Sequence, residues 1–279
     1  MKCATMHIII IIMLLFGTGC IGDGQVDYNL KNNSEDMQTD YNLQYDFNAG
    51  DIFVYNITHS TENSKNIIPT HIEMLVSDFD GTNITTNVTS IKTISGNTTK
   101  SSYTAIMDVY GNLMKAYPEI KIIPEIQPEL PNLIVYPKKA IQEEDSWTII
   151  FNNTLNNTSS GILYEVIGTK NYTCVGLKTI STKAGRFECV GIKSDSNFAS
   201  NTTTETNGTA VCIITRGKLS GIDWVDLKDG FLVKSEYDID TVMTTDLPET
   251  YKEIGFENFS RETPVNLHMV SYLENIKKG

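Results

Sequence analysis

Gly230-Phe231-Leu232-Val233-Lys234-Ser235-Glu236-Tyr237-Asp238-Ile239-Asp240 is the clearest run in the chain. Phe231, Val233, Tyr237, Ile239 and, further on, Met243 share one parity; Lys234, Glu236, Asp238 and Asp240 share the other. Side chains alternate across a strand. The run therefore reads as a strand with one dry and one wet face, the pattern of an antiparallel sheet. Outward from it, residues 51–245 are rich in Ile, Val, Thr, Tyr and Phe in short stretches cut by turn residues. Expected strands cover 51–59, 70–78, 82–94, 98–108, 145–152, 161–170, 172–182, 186–194, 209–216, 221–227 and 230–245. Asp80-Gly81, Ala184-Gly185 and Asp229-Gly230 supply turns, because Gly takes positive φ at low cost. Only 266–277 suggests a short C-terminal helix. Without helices to cover its dry face, such a sheet must curl. The expected fold is all-β: an antiparallel curved sheet, as a half-barrel or barrel, with a β-sandwich as the alternative.

The start of the chain reads differently. Lys2 precedes an unbroken apolar run, Ile8 to Phe16, followed by Gly17, Thr18, Gly19 and Cys20. Charge, apolar stretch and small residues in that order make a signal peptide over 1–19. The run is well short of the ~20 residues of a membrane-spanning helix. Gly19-Cys20-Ile21-Gly22 resembles the cleavage box of archaeal lipoproteins, which implies a lipid on Cys20. Ordinary cleavage, with Cys20 incidental, and an uncleaved anchor are the alternatives. Residues 20–49 read as a lipidated, flexible tether with a reach of roughly 30 Å, leaving 50–279 as a single β domain.

Asn-x-Ser/Thr occurs twelve times, at Asn32, Asn56, Asn83, Asn87, Asn97, Asn152, Asn156, Asn157, Asn171, Asn201, Asn207 and Asn258. Sequons this dense suggest an exported, glycosylated surface. They also report strand faces. Asn83, Thr85, Asn87 and Thr89 share a parity that should face water, which turns Ile84 and Val88 inward. No sequon lies between Asn97 and Asn152 or between Asn207 and Asn258. A contact surface should be free of glycans, so 103–147 and 209–246 are expected to meet and form the rim of the domain.

Five of the eight prolines, Pro118, Pro124, Pro128, Pro131 and Pro137, crowd into 117–140. Proline cannot donate to a ladder, so this stretch is an extended loop, either a lid or a rigid crossover. Pro137-Lys138-Lys139-Ala140 leading to Asp145-Ser146-Trp147, then Lys183 to Cys189, then Trp224-Val225-Asp226 with Asp229-Gly230 and Lys234, resembles an uncharacterised group of bacterial and archaeal envelope β proteins. Their layout is similar to the curved-sheet, Lol-type lipoprotein and lipid carriers. The resemblance spans about 137–240. It implies a concave apolar cavity and transfers no catalytic residues.

Few groups carry chemistry. The net charge of −12 disfavours nucleic acid and anionic head groups as partners. No phosphate loop, His-Glu-x-x-His or Gly-x-Ser-x-Gly is present. His59 and His71 could face each other across a hairpin, but no third ligand is adjacent. Asp223, Asp226 and Asp229 lack calcium-loop spacing, and Glu143-Glu144-Asp145 is the only acidic run that suggests a glycosidase. No cofactor, metal or enzymatic activity is expected. Cys174, Cys189 and Cys212 remain beyond the signal and Cys20. Reading 195–207 as a loop sets Cys189 opposite Cys212, a bridge permitted outside the cell; a Cys174–Cys189 bridge or three free thiols are the alternatives. Two functions follow: a lipid-anchored extracytoplasmic protein that binds or carries an apolar ligand in its curved sheet, or an envelope module that binds a surface protein or glycan.

Overall fold

A computed structural model describes residues 25–29, 39–61, 64–94, 97–117, 132–157, 162–206, 209–246 and 262–279. The signal segment, Cys20, Asn32, Asn207, Asn258 and the four prolines from 118 to 131 lie outside these residues.

Every regular element described is a strand: β1 (Gln25–Asn29), β2 (Ile52–Thr61), β3 (Ser64–Phe79), β4 (Asn83–Ile94), β5 (Asn97–Asp108), β6 (Leu113–Tyr117), β7 (Ser146–Asn157), β8 (Ile162–Thr182), β9 (Gly185–Thr206), β10 (Thr209–Asp226), β11 (Leu232–Asp246) and β12 (Glu262–Lys277). They form one antiparallel sheet in the order β1-β7-β8-β9-β10-β11-β12-β2-β3-β4-β5-β6. Its edges, β1 and β6, do not pair, so the curved sheet is an open half-barrel. The three expected turns are there, with Gly81, Gly185 and Gly230 at φ of 93°, 146° and 73°.

Two connections in this topology must cross the sheet. One leads from the edge strand β1 to β2 in the middle; the other leads from the edge strand β6 to β7, which lies beside β1 at the opposite end. The described residues of both connections lie over the concave face. In the first, Tyr41, Leu43, Tyr45 and Phe47 are buried, with Phe47 wholly so, while Asn42, Gln44 and Asp46 face out. In the second, Leu133, Ile134, Val135 and Tyr136 are buried.

The two straps are sewn to each other and to the sheet. The Tyr45 hydroxyl donates to the Ile134 carbonyl (3.1 Å) and accepts from the Ile134 N–H (2.9 Å). Asn132, Tyr55 and Leu232 close a ring. The Asn132 amide donates to the Tyr55 hydroxyl (2.9 Å), which donates to the Leu232 carbonyl (3.0 Å), and the Leu232 N–H returns to Asn132 Oδ1 (2.6 Å). Trp147 Nε1–H donates to the Val135 carbonyl at 2.9 Å. Buried backbone groups of irregular chain need such partners, and here side chains supply them.

Several expectations are corrected. Residues 25–29 and 39–49 are not a tether: they are an edge strand and a core strap. Residues 266–277 are not a helix. They belong to β12, which pairs with β11 on one side and β2 on the other and buries Met269, Ser271 and Leu273 at period two. Strands 161–170 and 172–182 are one strand, β8, with a bulge between Cys174 and Leu177 where Gly176 has φ 86°.

Residues 195–207 are no loop, since β9 continues to Thr206. Cys189 therefore stands opposite Asp226 and Cys212 opposite Thr203. At ~3.3 Å per residue these positions are about 45 Å apart along the ladder, far beyond the ~4–7 Å between Cα atoms that a disulfide allows. All three described cysteines are free thiols. Burial pushes the Cys174 thiol up to about 11 and the Cys189 thiol up to about 12.

Candidate functional site

Register separates the two faces of the sheet cleanly. On the convex side stand the sequon residues Asn56, Asn83, Asn87, Asn152, Asn171 and Asn201, none of them buried, with Asn97 exposed near a strand end. Asn156 and Asn157 end β7. Ile84 and Val88, on the opposite parity from Asn83 and Asn87, are buried as expected. Asn87 and Asn171 are engaged by neighbouring threonines: the hydroxyls of Thr104 and Thr148 donate to their amide oxygens, each at 2.7 Å. Cys212 Sγ donates to Asn201 Oδ1 at 2.9 Å.

The concave face holds a cluster of buried charged groups. Lys170 and Asp223 are both nearly closed to solvent. The Tyr237 hydroxyl donates to the Asp223 carboxylate and accepts from Ser194 Oγ at 2.9 Å. Lys170 Nζ lies 5.1 Å from the Tyr172 ring centre and 5.8 Å from that of Tyr237, a cation-over-ring placement. Burial raises the Asp223 carboxyl to about 6, against the pull of the Lys170 charge and the Tyr237 bond. Around this cluster Ser196, Ser235 and Ser271 have hydroxyls closed to solvent and without a hydrogen-bond partner. The cluster is buried within the concave face, closed to solvent.

Other expected groups are dispersed. His59 stands opposite Ile68 and His71 opposite Asn56, on different faces of the β2–β3 pair. Asp226 closes the β10–β11 turn by accepting from the N–H groups of Lys228 and Asp229, and Asp229 pairs with Lys278 at 2.9 Å. With Asp223 buried, the aspartate trio does not converge. Asp145 caps its own turn by accepting from the Gln142 N–H at 2.9 Å. Among the described residues no three His, Cys, Asp or Glu side chains converge to hold a metal, and no helix is long and apolar enough to cross a membrane. The two sequon-free tracts do meet. The Leu232 N–H donates to Asn132, and the Tyr136 hydroxyl donates to the Gly230 carbonyl at 2.7 Å. Among the described residues they meet inside the core, not at a rim.

What remains accessible is a hollow of about 710 Å³ on the convex face. Two adjacent rungs line it. One runs Ile150, Thr169, Asn197, Lys218, Asp240; the next runs Asn152, Ile167, Ala199, Arg216, Val242. Ile150, Ile167 and Val242 expose 41%, 56% and 40% of their surface; Ile150 and Ile167 are diagonal neighbours, and Val242 stands three strands away, about 14 Å, across Ala199 and Arg216. The rung between them faces the concave side. There Gly168 and Gly217 alternate with Phe151 and Phe198. A Cβ on Gly168 would lie 2.4 Å from the Phe151 ring, and one on Gly217 2.5 Å from the Phe198 ring. The rings lie directly on glycine backbone, and the hollow opens on the other side of those glycines. Sequence reasoning missed this site because its apolar residues come from three strands far apart in the chain.

No protein-family model matches this chain, and no curated protein matches it. Among solved structures it is similar to a protein from Bacteroides fragilis assigned as exported, with a YmcC-like fold, at 13% identity and a TM-score of 0.36, covering 85% of this chain and 99% of that one. It is also similar to a protein from Parabacteroides distasonis assigned as a lipoprotein, at 14% identity and a TM-score of 0.34, covering 84% and 99%. Neither likeness bears on a ligand or an activity.

Proposed function

We propose that this chain is an exported protein, held to the outer face of a membrane by a lipid on Cys20, that works by contact and not by catalysis. The convex hollow is its contact surface and the concave face is its scaffold. One observation carries this reading. Ile150, Ile167 and Val242 stand exposed around one hollow on the convex side, while Tyr45, Phe47, Leu133, Val135 and Tyr136 pack into the concave side where an apolar cargo would sit. Export and anchoring rest on the Lys2–Phe16 and Gly19-Cys20 pattern and on the sequons. Carriage of an apolar ligand gains no support from a concave face occupied by the chain's own straps.

The test has two arms in intact cells. Fractionation of Cys20→Ser should release the protein from the membrane; retention as firm as wild type overturns the anchor. A photo-reactive residue at position 167 should cross-link an envelope component. Yields no higher than at Ser102, on the exposed face of β5, would overturn the contact reading.

A further inference from the structure

We infer that the convex hollow rests on the bilayer surface beside the chain's own anchor. The inference depends on the lipid-anchored reading above and names the partner of the same hollow.

Placement comes first. β1 pairs antiparallel with β7, with Gln25 opposite Ile150 and Asn29 opposite Ser146. The chain therefore enters β1 from the Ile150 end. Four residues lie between Cys20 and Gln25, so five steps of chain span at most ~18 Å. A lipid on Cys20 must enter the membrane within that distance of Gln25, the strand partner of Ile150. The other large apolar side chains exposed among the described residues lie elsewhere: Met114 and Tyr117 on β6, at the far edge of the sheet, and Val175 and Leu177 at the β8 bulge.

The chemistry of the hollow fits a lipid surface. Its three exposed aliphatic side chains suit the boundary between head groups and acyl chains. Arg216 and Lys218 stand beside them on β10, both exposed, with Asp240 opposite Lys218. Long cationic side chains can lay their stems along apolar surface and present their charge to lipid phosphate. Net charge works against general adsorption, since the chain carries −12. The contact must therefore be local and depend on the anchor. A short tether turns a weak second contact into an intramolecular one at an effective concentration on the order of millimolar, so three side chains suffice.

Asn152 sharpens the inference. It is exposed on the same face, directly opposite Ile167. Asn171 and Asn201 stand on the same face, two residues along their strands from Thr169 and Ala199 of the hollow. A glycan at any of the three would hold the hollow away from the bilayer, so the proposal requires Asn152, Asn171 and Asn201 to be unmodified in the anchored protein.

The experiment uses the full lipidated chain, purified from its own membranes and reconstituted into phosphatidylcholine vesicles with or without brominated phosphatidylcholine. Ile167→Trp is compared with Ser102→Trp, each after subtraction of the signal of the native Trp147 and Trp224. Bromolipid should quench the tryptophan at 167 at least twofold more than that at 102. Equal quenching at both positions, in protein that floats with the vesicles and carries lipid on Cys20, overturns this inference and leaves the anchor standing. Protein without lipid on Cys20 overturns the anchor, and this inference with it. Glycopeptide mapping that finds a glycan on Asn152, Asn171 or Asn201, or position-167 cross-links in cells that yield a protein in place of lipid, also overturns it.

Discussion

Phe47→Ala tests whether residues 39–49 are core or tether. Phe47 is fully buried, its ring centre 5.2 Å from that of Tyr45 and 4.9 Å from that of Phe53. Truncating a buried phenylalanine costs about 3–5 kcal/mol, part transfer and part cavity. Little can move in to refill the space, because Tyr45 is fixed by two hydrogen bonds to Ile134 and Phe53 lies within the β2 ladder. The upper part of the range is therefore expected. An exposed tether residue would change stability by less than about 0.5 kcal/mol. Urea unfolding followed by tryptophan fluorescence separates the two outcomes. With a slope of about 3 kcal/mol/M, the midpoint should fall by at least about 1 M. A midpoint within about 0.2 M of wild type would refute the strap and restore the tether.

Two further outcomes are expected. Denaturing alkylation without reductant should label Cys174, Cys189 and Cys212 alike, and recovery of any disulfide-linked pair of these would contradict the β9–β10 register. Asp223, raised from its ordinary 3.8 to about 6, binds a proton more readily folded than unfolded, so its contribution to stability rises as pH falls from about 7 to about 4, by at most about 3 kcal/mol; Asp223→Asn should lack that rise when the pH dependence of its unfolding free energy is compared with wild type, and parallel curves would contradict the burial of this carboxyl.

Face assignment was legible from sequence wherever parity was unambiguous. The 231–243 alternation and the outward set of Asn83, Thr85 and Asn87 both match the observed burial, since a strand with one wet face writes its orientation into its residues. The straps carried the same kind of signal. Tyr41, Leu43, Tyr45 and Phe47 alternate as regularly as β11 does. Their Asn- and Asp-rich surroundings suggested a tether because nothing local says that the chain must cross a sheet at that point. Only the pairing of β12 with β2 creates that need. Residues 266–277 failed differently: two ladder neighbours overrode whatever local helical preference the segment has. For the cysteines a better signal was present. Asn207-Gly208 falls between the end of β9 and the start of β10, and Asn-Gly is the strongest short hairpin signal. Reading the turn there, and not near 201, would have separated Cys189 from Cys212.

The hollow lies beyond any local reading because its residues look unremarkable one at a time. Ile150 and Ile167 each occupy a polar parity on their strands, and single exposed apolar residues are ordinary. Val242 does the same some seventy-five residues after Ile167. Adjacent rungs carry all three to one place, across register pairs that span five strands. The glycines beneath them have the same character. Gly168 and Gly217 are interior strand residues with no turn to explain them, and glycine there weakens a strand. Their role shows only once Phe151 and Phe198 are seen lying on them, and side chains on both glycines would collide with those rings. The same register that buries the two phenylalanines on one face thus leaves the isoleucines and Val242 exposed around a depression on the other, which begins one strand in from the edge strand β1.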